Sequence, residues 1–341
     1  MFDDSIKHIS RPRWYYEIKD YEQPSLRTAV VQILNTFIPY FILLGLMVYT
    51  VRSGYSYLIT LTLAAAAAAF MVRIFVLFHD CTHNSFFASK RANRILGYIA
   101  GVLTLTAYED WQWCHSQHHK TAGDLDRQGV GSIAVMTVDD YKSASKWRKF
   151  TYRFSRHPLV LFGLAPGALF ILSQRFSKGT GERQRNSVVI TNLAALGIAV
   201  AASQTIGLGT YIMVQLPVML IAATAGVWLF FIQHNFEGMY WEHHNEVERM
   251  RVALEGSSFY DLPRVLRWFT ANIGYHSLHH VRTHIPNYNL KRCYENTPEL
   301  KKLIKPLTIR RSLKSPMLHL WDDKGHRLAG FEEIDSRLHA G

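Results

Sequence analysis

Cysteine is scarce in this chain. Cys81, Cys114 and Cys293 are the only three, an odd number whose spacing fits no zinc or redox motif. No disulfide framework is implied, so three reduced packing residues are expected, with the chemistry facing a reducing compartment. Residues 1–28 lack the short apolar core of a cleavable signal and mix their charges instead (Lys7, Arg11, Arg13, Glu17, Asp20, Glu22). The net charge of +12 comes without a basic–aromatic recognition module, which argues against nucleic acid as a partner. No fixed-period repeat is present. The zincin signature H-E-x-x-H is missing, and so is the Glu-x-x-His that builds carboxylate di-iron sites in helical bundles.

What is present is concentrated. Hydrophobic residues make up 48% and aromatics 13% of the 341 residues, gathered in blocks long enough to cross a bilayer, which takes about 20 residues. Four spans are expected, at 29–50, 56–78, 187–206 and 210–233. Pro39 is tolerable inside the first as a kink. The alanine run from Ala64 to Ala69 lets a neighbouring helix approach closely. The turns at Val51–Tyr55 and Gly207–Gly209 are short. Basic residues cluster on the other side: Lys90, Arg91 and Arg94, then Arg127 and Lys142 through Arg156, then Arg175, Lys178, Arg183 and Arg185. Such loops mark the cytoplasmic face. Ile95–Tyr108 is half a bilayer long, and Leu159–Leu172 is broken by Gly163, Pro166 and Gly167. Both read as interfacial. Counting Leu159–Leu172 as a fifth span would move the last histidine cluster to the opposite face. Arg73, near the end of the second span, is either functional or a snorkelling arginine. Residues 281–341 read as a charged tail without a span.

The histidines give the chain its organisation. They form His79-Asp-Cys-Thr-His83, His115-Ser-Gln-His118-His119 and His276-Ser-Leu-His279-His280. On a helix, positions i, i+3 and i+4 lie on one side, so each cluster aims its imidazoles together. That makes eight nitrogen ligands, more than one metal uses. His8, His157, His284, His319, His326 and His339 read as ordinary core or surface residues, and His243 and His244 as surface ones. An all-imidazole set is neutral and suits iron, copper, nickel or zinc. Iron is redox-active where zinc is not. The residues alone point to a two-metal, redox site at a membrane surface.

The clusters resemble the three histidine boxes of the membrane fatty acid desaturase family, in particular the bacterial acyl-lipid enzymes related to delta-12/omega-6 and delta-5 desaturases. The likeness extends to F-H-D-C-T-H-N-S-F-F (78–87), G-V-L-T-L-T (101–106), R-H-P-L-V-L-F (156–162), G-V-W-L-F-F-I-Q-H-N-F-E (226–237), E-G-S-S-F-Y-D-L-P (255–263) and F-T-A-N-I-G-Y-H-S-L-H-H (269–280). It covers roughly residues 65–325. Cys81-Thr82 and Ser277 depart from the family's frequent Gly-His and His at those places but leave the ligand positions intact.

The resemblance implies two iron ions that use dioxygen and two electrons to insert a double bond into a membrane acyl chain. It implies nine ligands: His79, His83, His115, His118, His119, His234, His276, His279 and His280. Asp80, Asp126, Glu237 and Asn272 lie near enough in sequence to hold imidazole tautomers. The expected architecture is an all-α integral membrane protein, one domain over 1–341. It has four transmembrane helices, one or two interfacial helices and a cytoplasmic helical cap carrying the di-iron site. The expected location is the cell inner membrane, multi-pass, with the boxes on the cytoplasmic side. No cytochrome b5-like heme motif is present, so electrons would come from a separate donor, a ferredoxin or similar. Two alternatives stay open. One is a hydroxylase or ketolase of the same fold. The other is a zinc-dependent membrane hydrolase or a metal transporter.

Overall fold

The structure, a computed structural model, describes residues 11–339. His8 lies outside the described residues, as does the side chain of His339. Four helices among the described residues are long and apolar enough to cross a membrane: α1 (Leu26–Arg52), α2 (Tyr57–Thr82), α6 (Glu182–Thr205) and α7 (Leu208–His234). Ser25 caps α1, its hydroxyl accepting from the Thr28 amide at 3.3 Å. One stripe of α1 (Ala29, Gln32, Thr36, Tyr40, Met47) is buried, while Val31, Leu34, Ile38 and Ile42 stand exposed. Leucine and isoleucine pointing away from the protein are what a helix facing lipid presents. α2 is the central helix, packed on both α1 and α7. Its Ala64, Ala67 and Ala68 are fully buried, which allows that close approach. α6 is largely exposed along its apolar length. Gly207, at φ +87°, makes the hairpin into α7, a conformation that costs a side-chain-bearing residue more.

The spans are longer than expected at the histidine end. α2 continues to Thr82 and α7 to His234. His79 therefore sits inside the last turn of α2 instead of beyond it. The polar residues of box one continue the helix because they are buried and bonded, with Thr82 Oγ1 donating to the His79 carbonyl at 2.6 Å. Arg73 does not snorkel. It is buried, its Nε donates to Thr36 Oγ1 at 2.9 Å, another nitrogen reaches the Trp268 carbonyl, and its guanidinium lies over the Trp268 ring. It ties α1 and α2 to the polar cap.

Two half-length elements complete the membrane-level layer. α3 (Lys90–Leu103) has 14 residues, about 21 Å at the usual helical rise, short of the roughly 30 Å hydrocarbon core. Leu105, at φ +53°, reverses the chain into α4 (Tyr108–Thr121), which carries box two. α5 (Lys146–Arg156) and the helical segment Leu159–Arg175 meet at a 59° bend, so the pair is not one straight span. The second segment lies against α7, where Thr224 Oγ1 donates to the Phe162 carbonyl at 2.9 Å.

The cap is helical with two small additions. Met136–Thr137 pairs with Leu320–Asp322, which pairs with Arg327–Ala329, and Phe259–Asp261 pairs with Pro306–Thr308. Strands of two or three residues show no alternating pattern in sequence. The C-terminal stretch, which holds no span, is folded. α8 (His276–Val281) and α9 (Asn287–Asn296) lead into a folded lid whose Trp321 is 1% exposed and stacks near Trp241. The lead-in is also docked: Trp14 and Ile18 join a cap cluster, and Glu22 pairs with Arg282 at 2.6 Å. Trp321→Ala should cost about 3–5 kcal/mol through the cavity it leaves, read as a lowered thermal midpoint in detergent. An unchanged midpoint would mean the lid is not part of the cooperative unit.

Candidate metal centre

Four elements aim imidazoles at one place. α2 supplies His79 and, at its C-terminus, His83; α4 supplies His115, His118 and His119; α7 ends in His234; and α8 supplies His276, His279 and His280. The nine resolve into two groups, each with its nearest ligand atoms within 4.8 Å of one another. One holds His79, His83, His115, His119 and His279, and the other His118, His234, His276 and His280. Boxes two and three are both split between the groups. The i, i+4 pairs (His115 with His119, His276 with His280) stay together, while the residue at i+3 goes to the other group. At 3.6 residues per turn, neighbours such as His118 and His119 diverge by about 100° around the axis. The groups abut, with the His119 and His280 rings 4.2 Å apart.

Within each group, adjacent Nε2 atoms stand 2.9–3.2 Å apart. Each such nitrogen offers one hydrogen or one lone pair. His115 Nε2 is 3.0 Å from both His79 and His119, and His276 Nε2 faces both His234 and His280. Hydrogen bonds alone do not satisfy such hubs. His83 Nε2 is buried with no partner. A cation satisfies all of them. Ligands bound at roughly 2.1 Å and at right angles lie about 3.0 Å apart, against about 3.4 Å for a tetrahedral set. The donor chemistry and spacing thus fit a metal ion in each group, of a kind that imidazole suits.

Burial favours the neutral form of seven of the nine. His83, His115, His118, His119, His276, His279 and His280 are all held well below the usual imidazole range, first by desolvation and then by neighbouring imidazoles. The outer nitrogens have partial support. His79 Nδ1 meets Asp80 Oδ1 at 3.3 Å, and His234 Nδ1 meets the Gly256 carbonyl at 3.4 Å. Trp111 stacks on His115 at 4.4 Å, one turn earlier on α4. Gly274, just before box three, lets the chain pass the Tyr260 carbonyl, which a Cβ would meet at 2.5 Å.

The four carboxylate or amide candidates separate clearly. Asp80 touches the cluster. Asn272 stands two links back: its Nδ2 donates to the Asn287 carbonyl at 3.0 Å, and Asn287 donates from its backbone N and its Nδ2 to Asp80 Oδ2 at 2.7 and 2.8 Å. Asp126 makes its contacts elsewhere, with His243 Nδ1 and the His244 amide at 2.9 Å each, because the chain after box two turns away toward the lid. Glu237 is exposed, 3.9 Å from Arg311. Asn287 was missed by sequence reasoning; it lies 207 residues from Asp80, and its only local signal is its place after Pro286 at the start of α9. His157, His284, His319 and His326, with His243 and His244, lie outside both groups.

Below the histidines opens a cavity of about 570 Å³. His79, His115 and His276 face it; Phe75 and Met71 of α2 and Ala223 and Met219 of α7 wall it. Met219 is about 22 Å of helix axis from His234, so the space runs deep between the spans.

Nine imidazoles gathered at the head of an apolar cavity, between helices long enough to cross a membrane, define the class: a helical protein with a candidate metal centre. Comparison with known proteins narrows it. The fatty acid desaturase family model matches residues 55–308. A fatty acid desaturase of Bacillus subtilis is 42% identical over 336 residues, covering 98% of this chain and 94% of that one. More distant are an sn-1 oleoyl-lipid 12-desaturase of Picosynechococcus sp. (24% identical; 64% of this chain, 63% of that one) and an sn-1 acyl-lipid omega-3 desaturase (ferredoxin) of Nostoc sp. (26%; 65% and 62%). This chain thus spans under two thirds of those two cyanobacterial relatives. The chain belongs to the fatty acid desaturase family and is an oxidoreductase of that activity.

Asp80→Ala should weaken metal retention by about 10–100-fold, the usual effect of removing a group that orients a ligand, measured by chelator competition. Unaltered retention would make Asp80 structural only. The lowered imidazole pKa values also set a pH dependence. Between the folded and unfolded values the unfolded chain binds more protons, so the metal-free protein loses stability as pH falls below about 6.5. Thermal midpoints across pH 8 to 5 should fall in the acid half; a flat series would contradict the burial of these rings.

Proposed function

We propose that the chain is an oxygen-dependent acyl-lipid desaturase with two iron ions. His79, His83, His115, His119 and His279 would hold one, and His118, His234, His276 and His280 the other. The observation that carries this is the convergence of nine imidazoles, in two groups, at the head of a deep apolar cavity. Reduced irons with dioxygen supply an oxidant strong enough to take hydrogen from an unactivated methylene. The protein's own work is placement. Asp80 and the Gly256 carbonyl hold His79 and His234 with Nε2 facing inward. The walls from α2 and α7 keep one carbon pair near the site and exclude water from it.

Over one turnover an acyl chain loses two hydrogens from adjacent carbons. With two electrons and two protons from outside, dioxygen leaves as two waters. The electrons call for a separate donor, and an acidic iron–sulfur protein of the ferredoxin kind suits the basic surface. Lipid-linked substrate and ferredoxin dependence are supported by the names of the cyanobacterial relatives. The basic segments on the histidine side support an inner-membrane protein with its site toward the cytoplasm. The whole chain, 1–341, is read as one domain. A hydroxylase or ketolase would share this scaffold, and product analysis separates them.

The test has two parts. Purified protein should contain close to two irons per chain, and one zinc per chain would overturn the reading. A host expressing the protein should gain a new double bond, located by mass spectrometry, that the His276→Ala variant lacks. A hydroxylated acid in its place would move the assignment to a hydroxylase.

A further inference from the structure

α5 is an amphipathic helix whose apolar side has no protein partner among the described residues. Trp147, Phe150 and Phe154 are 71%, 57% and 54% exposed and stack in sequence along one stripe. Their spacing of i, i+3 and i+7 puts all three on one face. The opposite face holds the cap: Tyr152 donates to the His319 carbonyl, Arg153 pairs with Asp335, and Arg156 is buried against the Ala134 carbonyl. Lys146 borders the stripe beside Phe150, and Arg148 follows Trp147 on the other side, nearer Tyr152; both are exposed. No acidic residue occurs within the helix. Aromatic rings bordered by cations are the pattern of a helix lying in a membrane interface.

Its position connects it to the cavity. The loop that Arg156 holds contributes Gly131, Ser132 and Ile133 to the cavity wall. Beyond the 59° bend, the next segment contributes Leu161, Ala165 and Leu169, while its Leu159, Leu164 and Leu172 are exposed outward. One wall of the cavity is therefore a thin helical partition with lipid-type residues outside.

We propose that α5 lies in the bilayer interface as a docking surface for anionic phospholipids and delivers their acyl chains sideways through the Leu159–Arg175 wall. The occupant is chosen by charge: Lys146 and Arg148 complement a phosphodiester with a net negative headgroup, and the aromatic stripe takes the acyl–headgroup boundary. This rests on the acyl-lipid reading above and names its substrate class.

The test uses the full-length protein in phosphatidylethanolamine vesicles containing equal phosphatidylglycerol and phosphatidylcholine. A photoreactive benzoylphenylalanine is placed at position 150 or 154, or at the control position 142. Light should give phospholipid adducts at 150 and 154, rich in phosphatidylglycerol, and none at 142. Replacing Lys146→Gln and Arg148→Gln together should cut the phosphatidylglycerol preference about fivefold per charge, and should lower the ratio of desaturated phosphatidylglycerol to phosphatidylcholine in the same direction. Equal labelling of the two lipids, adducts to a second copy or to another protein, or no adduct at 150 and 154 would each overturn the proposal. The adduct is read by mass and needs no turnover, so failure of the desaturase reading would show separately, as lipid adducts without product.

Discussion

Nine imidazole nitrogens cannot be brought lone pair to lone pair unless something pulls them together. Each buried nitrogen without a partner costs a desolvation penalty, and here His83 Nε2 has none while His115 and His276 each face two others. Everything else in the fold can be read as the apparatus that holds them there. α2 packs on α7, and His79 and His234 lie in the last turns of those two helices. α4 and α8 then close over them.

The clamp is polar and buried. Asp80 receives two hydrogen bonds from Asn287, whose side-chain oxygen accepts from Gln32 of α1 and whose carbonyl accepts from Asn272 before box three. Residues of α1, α2, α9 and the segment before box three are thus linked through Asn287 to one carboxylate beside one ligand. Arg73 makes a second tie, from α2 to Thr36 and to the cap at Trp268. Buried networks of this kind are costly when incomplete and specify one arrangement when satisfied. That suits a site where ligand positions must be held within fractions of an ångström. The same geometry leaves room for substrate: the histidines roof an apolar space.

The spans and the three boxes were legible because their signals are local and periodic. A run of apolar residues reads as a span whatever surrounds it, and His at i and i+4 share a face by helix geometry alone. The pairing of Asp80 with His79 was also within reach, being adjacent in sequence. Glu237 and Asp126 looked equally close to histidines, but proximity along the chain says nothing once the chain leaves its helix. One lies exposed and the other turns toward His243 and His244.

What the sequence by itself determined is therefore the inventory: four apolar helices and three histidine boxes, the first of them at the end of a span. Only the tertiary structure decided the partition of nine imidazoles into five and four, with boxes two and three each serving both groups. It alone found Asn287, folded the apparent tail into a lid, buried Arg73, and left the aromatic face of α5 bare. The reason is common to all of these. A periodic pattern states which way a side chain leaves its own helix, but its partner is set by how helices pack, and that depends on contacts hundreds of residues apart.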